Sequence, residues 1–405
     1  MKKLYTEKDR CSGCAACEQA CPKHCIKMES DAEGFLYPHV DFEECVDCGL
    51  CEKVCHNKYQ SDERIPLKSY AAINPDEKVR GESSSGGVFS ALALIVLQAG
   101  GVVFGARYDE KWQVKLDYVE KEEELTILRG SKYVQARTDR AYLDAERFLK
   151  ADRLVLFSGT PCQISGLHHF LRKQYNQLLT VDVVCHGVPS PKVWMAYLKE
   201  ATKCANMKRI SVMSSFHDRN PYMQAFIENL ILRPSCHNCT IKQSRGGSDL
   251  TIADFWGVQY VCPQMFDNRG TSLVMVNTEK GLSFFSRIQI AFREVSYGDD
   301  VLYHNPAIVR SFPPHPKRQF FFSQFDNSEN VVTLIKKSLK LPILQRLKVI
   351  ARNSLKKENH TNDFVPDSLH LVPSSDVKMT TEKIRNINFR CKKGGWLHSC
   401  LEIKW

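Results

Sequence analysis

The sequence predicts an α+β and α/β protein: a small cysteine-rich module, a mixed-sheet α/β domain, and a helical basic tail. Three observations predict it. Two runs of four cysteines open the chain, short apolar runs alternate with amphipathic stretches from Ser69 onward, and cations gather after Val331. The expected boundaries are 1–60, 69–312 and 317–405. Polar Ser61 to Lys68, with Pro66, and Pro313-Pro314-His315-Pro316 read as the linkers. No internal repeat is visible beyond the two cysteine runs.

The runs are Cys11, Cys14, Cys17 and Cys21, followed by Pro22, and Cys45, Cys48, Cys51 and Cys55. Both have the spacing C-x₂-C-x₂-C-x₃-C. Three thiolates two residues apart can wrap one corner of a cube from a single tight loop, whereas zinc usually takes two separated pairs. The runs resemble those of a bacterial-type ferredoxin holding two [4Fe–4S] clusters. That resemblance implies a crossed ligand set, Cys11, Cys14, Cys17 and Cys55 on one cluster and Cys45, Cys48, Cys51 and Cys21 on the other. His56 stands where a proline would be usual. Tyr5 and Phe35-Leu36-Tyr37 are available to shield the clusters from water.

At 405 residues the chain is too long for such a module alone, and 43% apolar residues suffice for a sizeable core. Seventeen cysteines without a signal peptide point to a reducing compartment, so a cytoplasmic protein is expected. The longest apolar stretch, Val88 to Ala106, is cut by Gly100-Gly101 and reads as a buried helix and strand, not a membrane span. The net charge is +10, but fifteen Lys and Arg against six Asp and Glu follow Val331. The preceding body is close to neutral, which argues against nucleic-acid binding there.

Strands are expected over 69–73, 101–107, 113–119, 153–157, 178–184, 209–216, 224–232, 249–254 and 272–277. Helices are expected over 86–99, 139–150, 162–173, 191–203 and 279–289. Such alternation indicates a mixed sheet covered by helices. In the tail, Val331 to Leu341 and Ile343 to Leu355 read as basic amphipathic helices separated by Pro342. A solvated helical face and peripheral contact with a membrane surface or an acidic partner both fit them. Cys391 and Cys400 are too isolated to assign.

Four further cysteines sit at strand ends or in a pair: Cys162 in Ser158-Gly159-Thr160-Pro161-Cys162-Gln163, Cys185 in Val184-Cys185-His186-Gly187, and Cys236 with Cys239. Strand ends on one rim of a sheet converge. Four thiolates match the count for a third [4Fe–4S] cluster, while buried structural thiols beside a lone redox pair or half a zinc site fit equally. The turn Ser83-Ser84-Ser85-Gly86-Gly87 reads either as a diphosphate site at a helix N-terminus or as a serine N-cap. Arg129-Gly130-Ser131-Lys132-Tyr133 and Arg245-Gly246-Gly247-Ser248-Asp249 set cations beside flexible glycines. Iron–sulfur clusters pass single electrons and most organic substrates accept pairs, so a flavin is the expected converter.

Taken in order, Gly81 to Gly87, Gly130 to Tyr133, Gly159 to Gln163, Cys185 to Gly187, Cys236-x-x-Cys239 and Asp249 to Gly257 resemble the beta-subunit family of coenzyme F420 hydrogenases and dehydrogenases. The resemblance spans Gly81 to about Val258. It implies FAD beside a [4Fe–4S] cluster, with hydride exchanged with the deazaflavin coenzyme or another acceptor. It implies that Cys162, Cys185, Cys236 and Cys239 ligate that cluster and that Ser85, Gly86, Gly87, Ser131, Lys132 and Thr160 contact FAD. Some bacterial relatives of this layout accompany surface-polysaccharide synthesis enzymes. The expected function is an iron–sulfur flavoprotein oxidoreductase fed by a redox partner protein or low-potential donor, with no assigned catalytic residue. His186 and His237, beside expected ligands, read as packing residues. An electron-delivery or adaptor subunit without its own substrate is the alternative, and a zinc-dependent nucleic-acid or scaffolding protein a third.

Overall fold

The computed structural model describes residues 7–59, 61–203, 209–210, 220–340 and 401–402. The chain divides into two compact units, Met1–Leu339 with Leu397–Trp405, and Lys340–Trp396. Of the second unit only Lys340 is described. The expected helix Ile343 to Leu355, Cys391 and Cys400 lie outside the described residues.

The first module is small and ferredoxin-like. Helix α1 (Ala16–Ala20) leads to the hairpin β1 (Ile26–Ser30) and β2 (Leu36–Val40), paired from Ile26↔Val40 to Ser30↔Leu36, and then to α2 (Leu50–Lys53). Each of these short helices follows a left-handed residue, Ala15 at φ 60° and Gly49 at φ 67°. These positions turn the cysteine loops sharply into the helices, and Ala15 adopts a conformation that glycine would enter more easily.

Beyond it come β3 (Lys68–Ile73), α3 (Glu77–Gly81), α4 (Val88–Gln98), β4 (Val102–Tyr108), β5 (Val114–Val119), α5 (Ala141–Lys150), β6 (Val155–Gly159), α6 (Pro161–Leu171), β7 (Leu178–Val183) and α7 (Pro191–Lys203). They are followed by β8 (Arg209–Ile210), α8 (Pro221–Ile227), β9 (Leu250–Asp254), α9 (Val258–Val261), β10 (Ser272–Val276), α10 (Glu279–Phe285), β11 (Ala291–Glu294), α11 (Asp299–His304), α12 (Arg318–Phe325), α13 (Val331–Leu339) and β12 (Leu401–Glu402). Eight strands form one mixed sheet in the order β11-β3-β10-β9-β7-β6-β4-β5. Its centre, β4, β6, β7 and β9, is parallel, while β5, β10 and β11 run against their neighbours. The carboxyl ends of the parallel strands therefore share one rim, where Cys162 and Cys185 follow β6 and β7.

Helices cover both faces. Leu92 and Val96 of α4 and Phe284 and Phe285 of α10 pack on Leu156, Leu179 and Val274. On the other face Phe148 of α5 and Ile164 and Leu167 of α6 meet Phe104 and Phe157, and Ala16 and Val54 of the first module join that cluster. Continuous burial along β10 explains its uninterrupted apolar sequence. Gly100, at φ 73°, turns α4 into β4 and so divides the long apolar stretch as expected. Among the described residues no helix is long and apolar enough to cross a membrane.

Residues 224–232 correct the expectation of a strand. Asn220 caps α8 by accepting from the backbone N–H groups of Tyr222 and Met223, Pro221 occupies the first turn, and Asn229 at φ 59° ends it. Only Leu232 bridges, to Pro189. The edge strand β11 is absent from the expected elements, because all four of its residues are exposed and carry no core pattern. Of 209–216, only β8 is described; it pairs with β12. Helices α12 and α13 bury Phe321, Phe325, Val331, Leu334 and Ile335 against α7 and α8, around Trp194, Tyr222 and Phe226. The apolar stripe read at Ile335 and Leu339 thus faces protein.

Candidate metal centres

Cys11 and Cys14 line the loop before α1, Cys17 lies in its first turn, and Cys55 arrives after α2. Burial pushes the Cys14 thiol up to about 12, and the nearby Cys55, Cys11 and Cys162 reinforce the shift. Burial likewise raises Cys17, with Cys14, Cys11 and Cys55 as its charged neighbours. These thiols sit close enough to oppose one another's ionisation. A cationic iron cluster that takes all four as thiolates would remove that conflict, so the donor set fits one.

A second group surrounds a cavity lined by Cys21, Cys45, Cys48 and Cys51 together with Phe42 and Val46. Cys51 is raised by burial and feels Cys48 and Cys21. Cys48 is exposed, so this group lies nearest to solvent. The same cavity contains a fifth thiol. Cys25 is buried, and its Sγ lies 3.4 Å from that of Cys21. It stands outside both runs, and only an apolar position occupied by cysteine could have drawn attention to it. Among the described residues no three His, Cys, Asp or Glu side chains group as a single metal ion requires. The corner ligands of a cube stand farther apart than ligands on one ion.

The third group forms on the sheet rim. Thr160 caps α6 in a capping box with Gln163, Pro161 opens the helix, and Cys162 follows with its Sγ 3.2 Å from Thr160 Oγ1. Cys185 lies two residues past β7, and its carbonyl accepts from Lys242 Nζ. Cys236 sits in the 3₁₀ turn Pro234–Asn238, and the Cys239 N–H donates to Ser311 Oγ at 3.0 Å. Burial raises Cys162, Cys185 and Cys236, the last to about 12. Cys239 adds to all three shifts, so the four thiols are gathered together. Lys242 pulls Cys185 the other way.

His186 and His237 each engage a neighbour through one ring nitrogen, and the buried Nε2 of His237 has no hydrogen-bond partner among the described residues. His186 Nε2 lies 2.7 Å from Asn229 Oδ1 and its ring stacks on Phe312, with burial holding its pKa down at about 4. His237 Nδ1 lies 3.0 Å from the Phe312 carbonyl.

The first and third groups adjoin. Gly166 of α6 faces Cys14, and a Cβ there would stand 3.1 Å from the Cys14 Sγ. Gln19 of α1 accepts from the Tyr142 N–H, and Gln135 donates to the Ser12 carbonyl. Helix α6 thus carries Cys162 at its start and supports the first cysteine loop one turn later.

The glycine-rich turns come together only in part. Ser84 Oγ accepts from the Ser131 N–H at 2.6 Å and from its hydroxyl at 3.0 Å, joining the two turns. Arg129 pairs with Glu82 and donates to Ser90 Oγ, bracing the same junction. Ser85 donates to the Thr271 carbonyl, and a Cβ on Gly86 would lie against the Ala72 carbonyl. Gly87, at φ 79°, starts α4. Lys132 Nζ donates to the carbonyls of Leu128 and Arg129, and burial draws its pKa down to about 7. Arg245 pairs with Glu63, and Asp249 accepts from the N–H and hydroxyl of Thr180. Ser85, Gly86, Gly87, Lys132 and Thr160 each have an intramolecular role, as does Ser131, which is exposed as well.

Comparison with known proteins adds to this geometry. The family described as the C terminus of the coenzyme F420 hydrogenase/dehydrogenase beta subunit matches residues 152–295. A 4Fe-4S dicluster domain matches residues 10–58. A ferredoxin of Mycolicibacterium smegmatis is 42% identical over 64 residues, which cover 15% of this chain and 56% of that protein. The pyruvate synthase subunit PorD of Methanothermobacter marburgensis is 32% identical over 62 residues, covering 15% and 67%. The chain therefore spans between half and two thirds of the length of these curated relatives. A chain of the F420-reducing [NiFe] hydrogenase complex from Methanosarcina barkeri, solved as a xenon derivative, matches with 16% identity and a TM-score of 0.44. That match covers 66% of this chain and 95% of the other.

Proposed function

We propose that the chain is an iron–sulfur flavoprotein oxidoreductase, because residues 152–295 match the C-terminal family of coenzyme F420 hydrogenase/dehydrogenase beta subunits and residues 10–58 match a 4Fe-4S dicluster domain. When bound, [4Fe–4S] clusters supply one-electron transfer and FAD supplies the exchange between single electrons and a hydride. Cys11, Cys14, Cys17 and Cys55 would hold one cluster, and Cys21, Cys45, Cys48 and Cys51 a second. Cys162, Cys185, Cys236 and Cys239 would hold a third. The joined turns at Ser84 and Ser131 would offer hydroxyls to FAD, with Lys132 fixing the shape of the second turn from beneath. The substrate class would be a hydride acceptor or donor, a deazaflavin or a substrate of surface-polysaccharide synthesis among them.

One observation carries this reading. Cys14 packs on Gly166 of α6, the helix whose second residue is Cys162, and Cys162 is a neighbour of the Cys14 thiol, so the first and third thiol groups adjoin. With Cys48 exposed at the second group, the order supports a path from solvent through the module to the sheet rim. Alignment by these fixed ligands, rather than a protein acid or base, would then govern the rate.

A second reading, an electron-delivery subunit without its own substrate, is favoured by the intramolecular bonds that engage Ser85, Lys132 and Thr160. Anaerobic purification with quantitation of iron, sulfide and flavin separates the two. About twelve irons and one flavin per chain support the oxidoreductase, by the count of three four-iron clusters. About eight irons without flavin would reject it in favour of electron delivery.

A further inference from the structure

Arg233 is fully buried and directly precedes the turn that carries Cys236. Its Nε donates to the Cys11 carbonyl at 2.8 Å, one terminal nitrogen to Gln135 Oε1 at 3.1 Å, and the other to the Leu36 carbonyl at 2.9 Å. The guanidinium carbon lies 4.2 Å from the Tyr37 ring centre and 5.5 Å from that of Phe35. A Cβ on Gly13 would stand 2.9 Å from one of its nitrogens, so the first cysteine loop closes directly over it.

Every one of these partners is neutral. Buried Arg80, by contrast, is matched by Asp267 at 2.6 Å. Among the described residues no carboxylate pairs with Arg233. A guanidinium keeps its proton at any working pH, and an unmatched charge in the interior is strongly disfavoured. Carbonyls and ring faces ease that cost without supplying a negative charge. With clusters bound, the thiolates that hold them would supply that charge. Arg233 donates to the Cys11 carbonyl from its side chain, and its own carbonyl accepts from the Cys236 N–H at 3.0 Å, so it is tied to the ligand loops of both groups.

We propose that Arg233 is the internal counter-charge shared by the Cys11–Cys14–Cys17–Cys55 and Cys162–Cys185–Cys236–Cys239 clusters, and that it sets how readily each accepts an electron. The proposal rests on the cluster assignment above. Reduction by dithionite adds one electron to a centre that is already anionic with its thiolates. No bond forms or breaks, and no proton is taken up. A fixed cation beside the centre favours the more negative state, while the Cys21 group has no contact with Arg233 among the described residues and serves as an internal control.

The test is a dithionite titration, followed by electron paramagnetic resonance, of the full chain purified anaerobically. Arg233→Met should weaken reduction of two centres at least about tenfold, roughly 59 mV for a one-electron couple, and leave the third within about threefold. Arg233→Lys keeps the charge and should hold all three within about threefold. Gln135→Leu removes two hydrogen bonds, one from Arg233 and one to the Ser12 carbonyl, and should move none. Unchanged potentials in a fully loaded Arg233→Met protein overturn the proposal, as does a shift in Arg233→Lys as large as in Arg233→Met. If Arg233→Met loses iron, the iron content of Arg233→Lys decides. Full loading supports a counter-charge, and equal loss reduces Arg233 to a hydrogen-bonding scaffold. A wild-type chain with no cluster signal would reject the cluster assignment instead.

Discussion

Gly166 and Cys14 touch across the junction of the two folded modules: a Cβ added to Gly166 would lie 3.1 Å from Cys14 Sγ and 2.7 Å from Tyr142 Oη. Helix propensity alone would favour alanine there by about 1 kcal/mol. The neighbours decide otherwise. Tyr142 is tied by its hydroxyl to the Gln163 carbonyl, and Cys14 is held in its loop, so neither yields easily. Gly166→Ala should cost about 1–3 kcal/mol through overpacking and lower the iron content with it. Thermal melting and iron assay of the purified variant check this; a rise in melting temperature would contradict it.

Cys55 and Cys25 should respond differently to removal. Cys55→Ala takes one corner from the first thiol group and should release about four irons per chain. Cys25 lies beside Cys21 but outside both runs, so Cys25→Ala should retain the full complement. Colorimetric iron analysis compares them directly. Equal loss in both variants would mean that Cys25 is a ligand.

Ser84 links two turns that are 47 residues apart in sequence. Ser84→Ala removes its bonds to the N–H and hydroxyl of Ser131, a loss of about 1 kcal/mol. The flavin-to-protein ratio should fall while iron stays constant. Absorbance of extracted flavin measures the ratio, and an unchanged value would separate the Ser84 junction from the flavin.

Burial holds the His168 imidazole below its ordinary pKa of 6.5, and its Nε2 has no partner among the described residues. The folded chain therefore takes up this proton later than the unfolded chain as pH falls. The stability tied to neutral His168 is complete above 6.5 and declines below it. His168→Gln should flatten the fall in melting temperature between about pH 7 and pH 5.5, measured by circular dichroism. An unaltered slope would show that the ring is already hydrated.

Much of this arrangement was legible from local pattern. The eight thiols of the two runs announce themselves by spacing, and most strands by apolar runs bounded by turns. Residues 224–232 misled because Ala225-Phe226-Ile227 and Leu230-Ile231-Leu232 suit a strand as well as a helix; the stronger signal was Asn220-Pro221, a cap with a proline behind it. Arg233 and Cys25 were invisible for a different reason. Their significance lies in contacts with Cys11 and Leu36, and with Cys21, which depend on how modules dock or loops close and leave no periodic trace. The same holds for Ser84 with Ser131, where each turn looked weak alone.

Arg318 of α12 grips Glu33 with both terminal nitrogens, a contact between residues 285 positions apart, and also donates to the Leu232 carbonyl. The hairpin near the start of the chain therefore cannot take its final seat until α12 has emerged from the ribosome. At about 5–20 residues per second, that leaves roughly 15–60 s between the synthesis of Glu33 and that of its partner. Until then the hairpin turn is held by earlier-made partners, Ser190 on the Glu33 carbonyl and Lys192 on the Ala32 carbonyl.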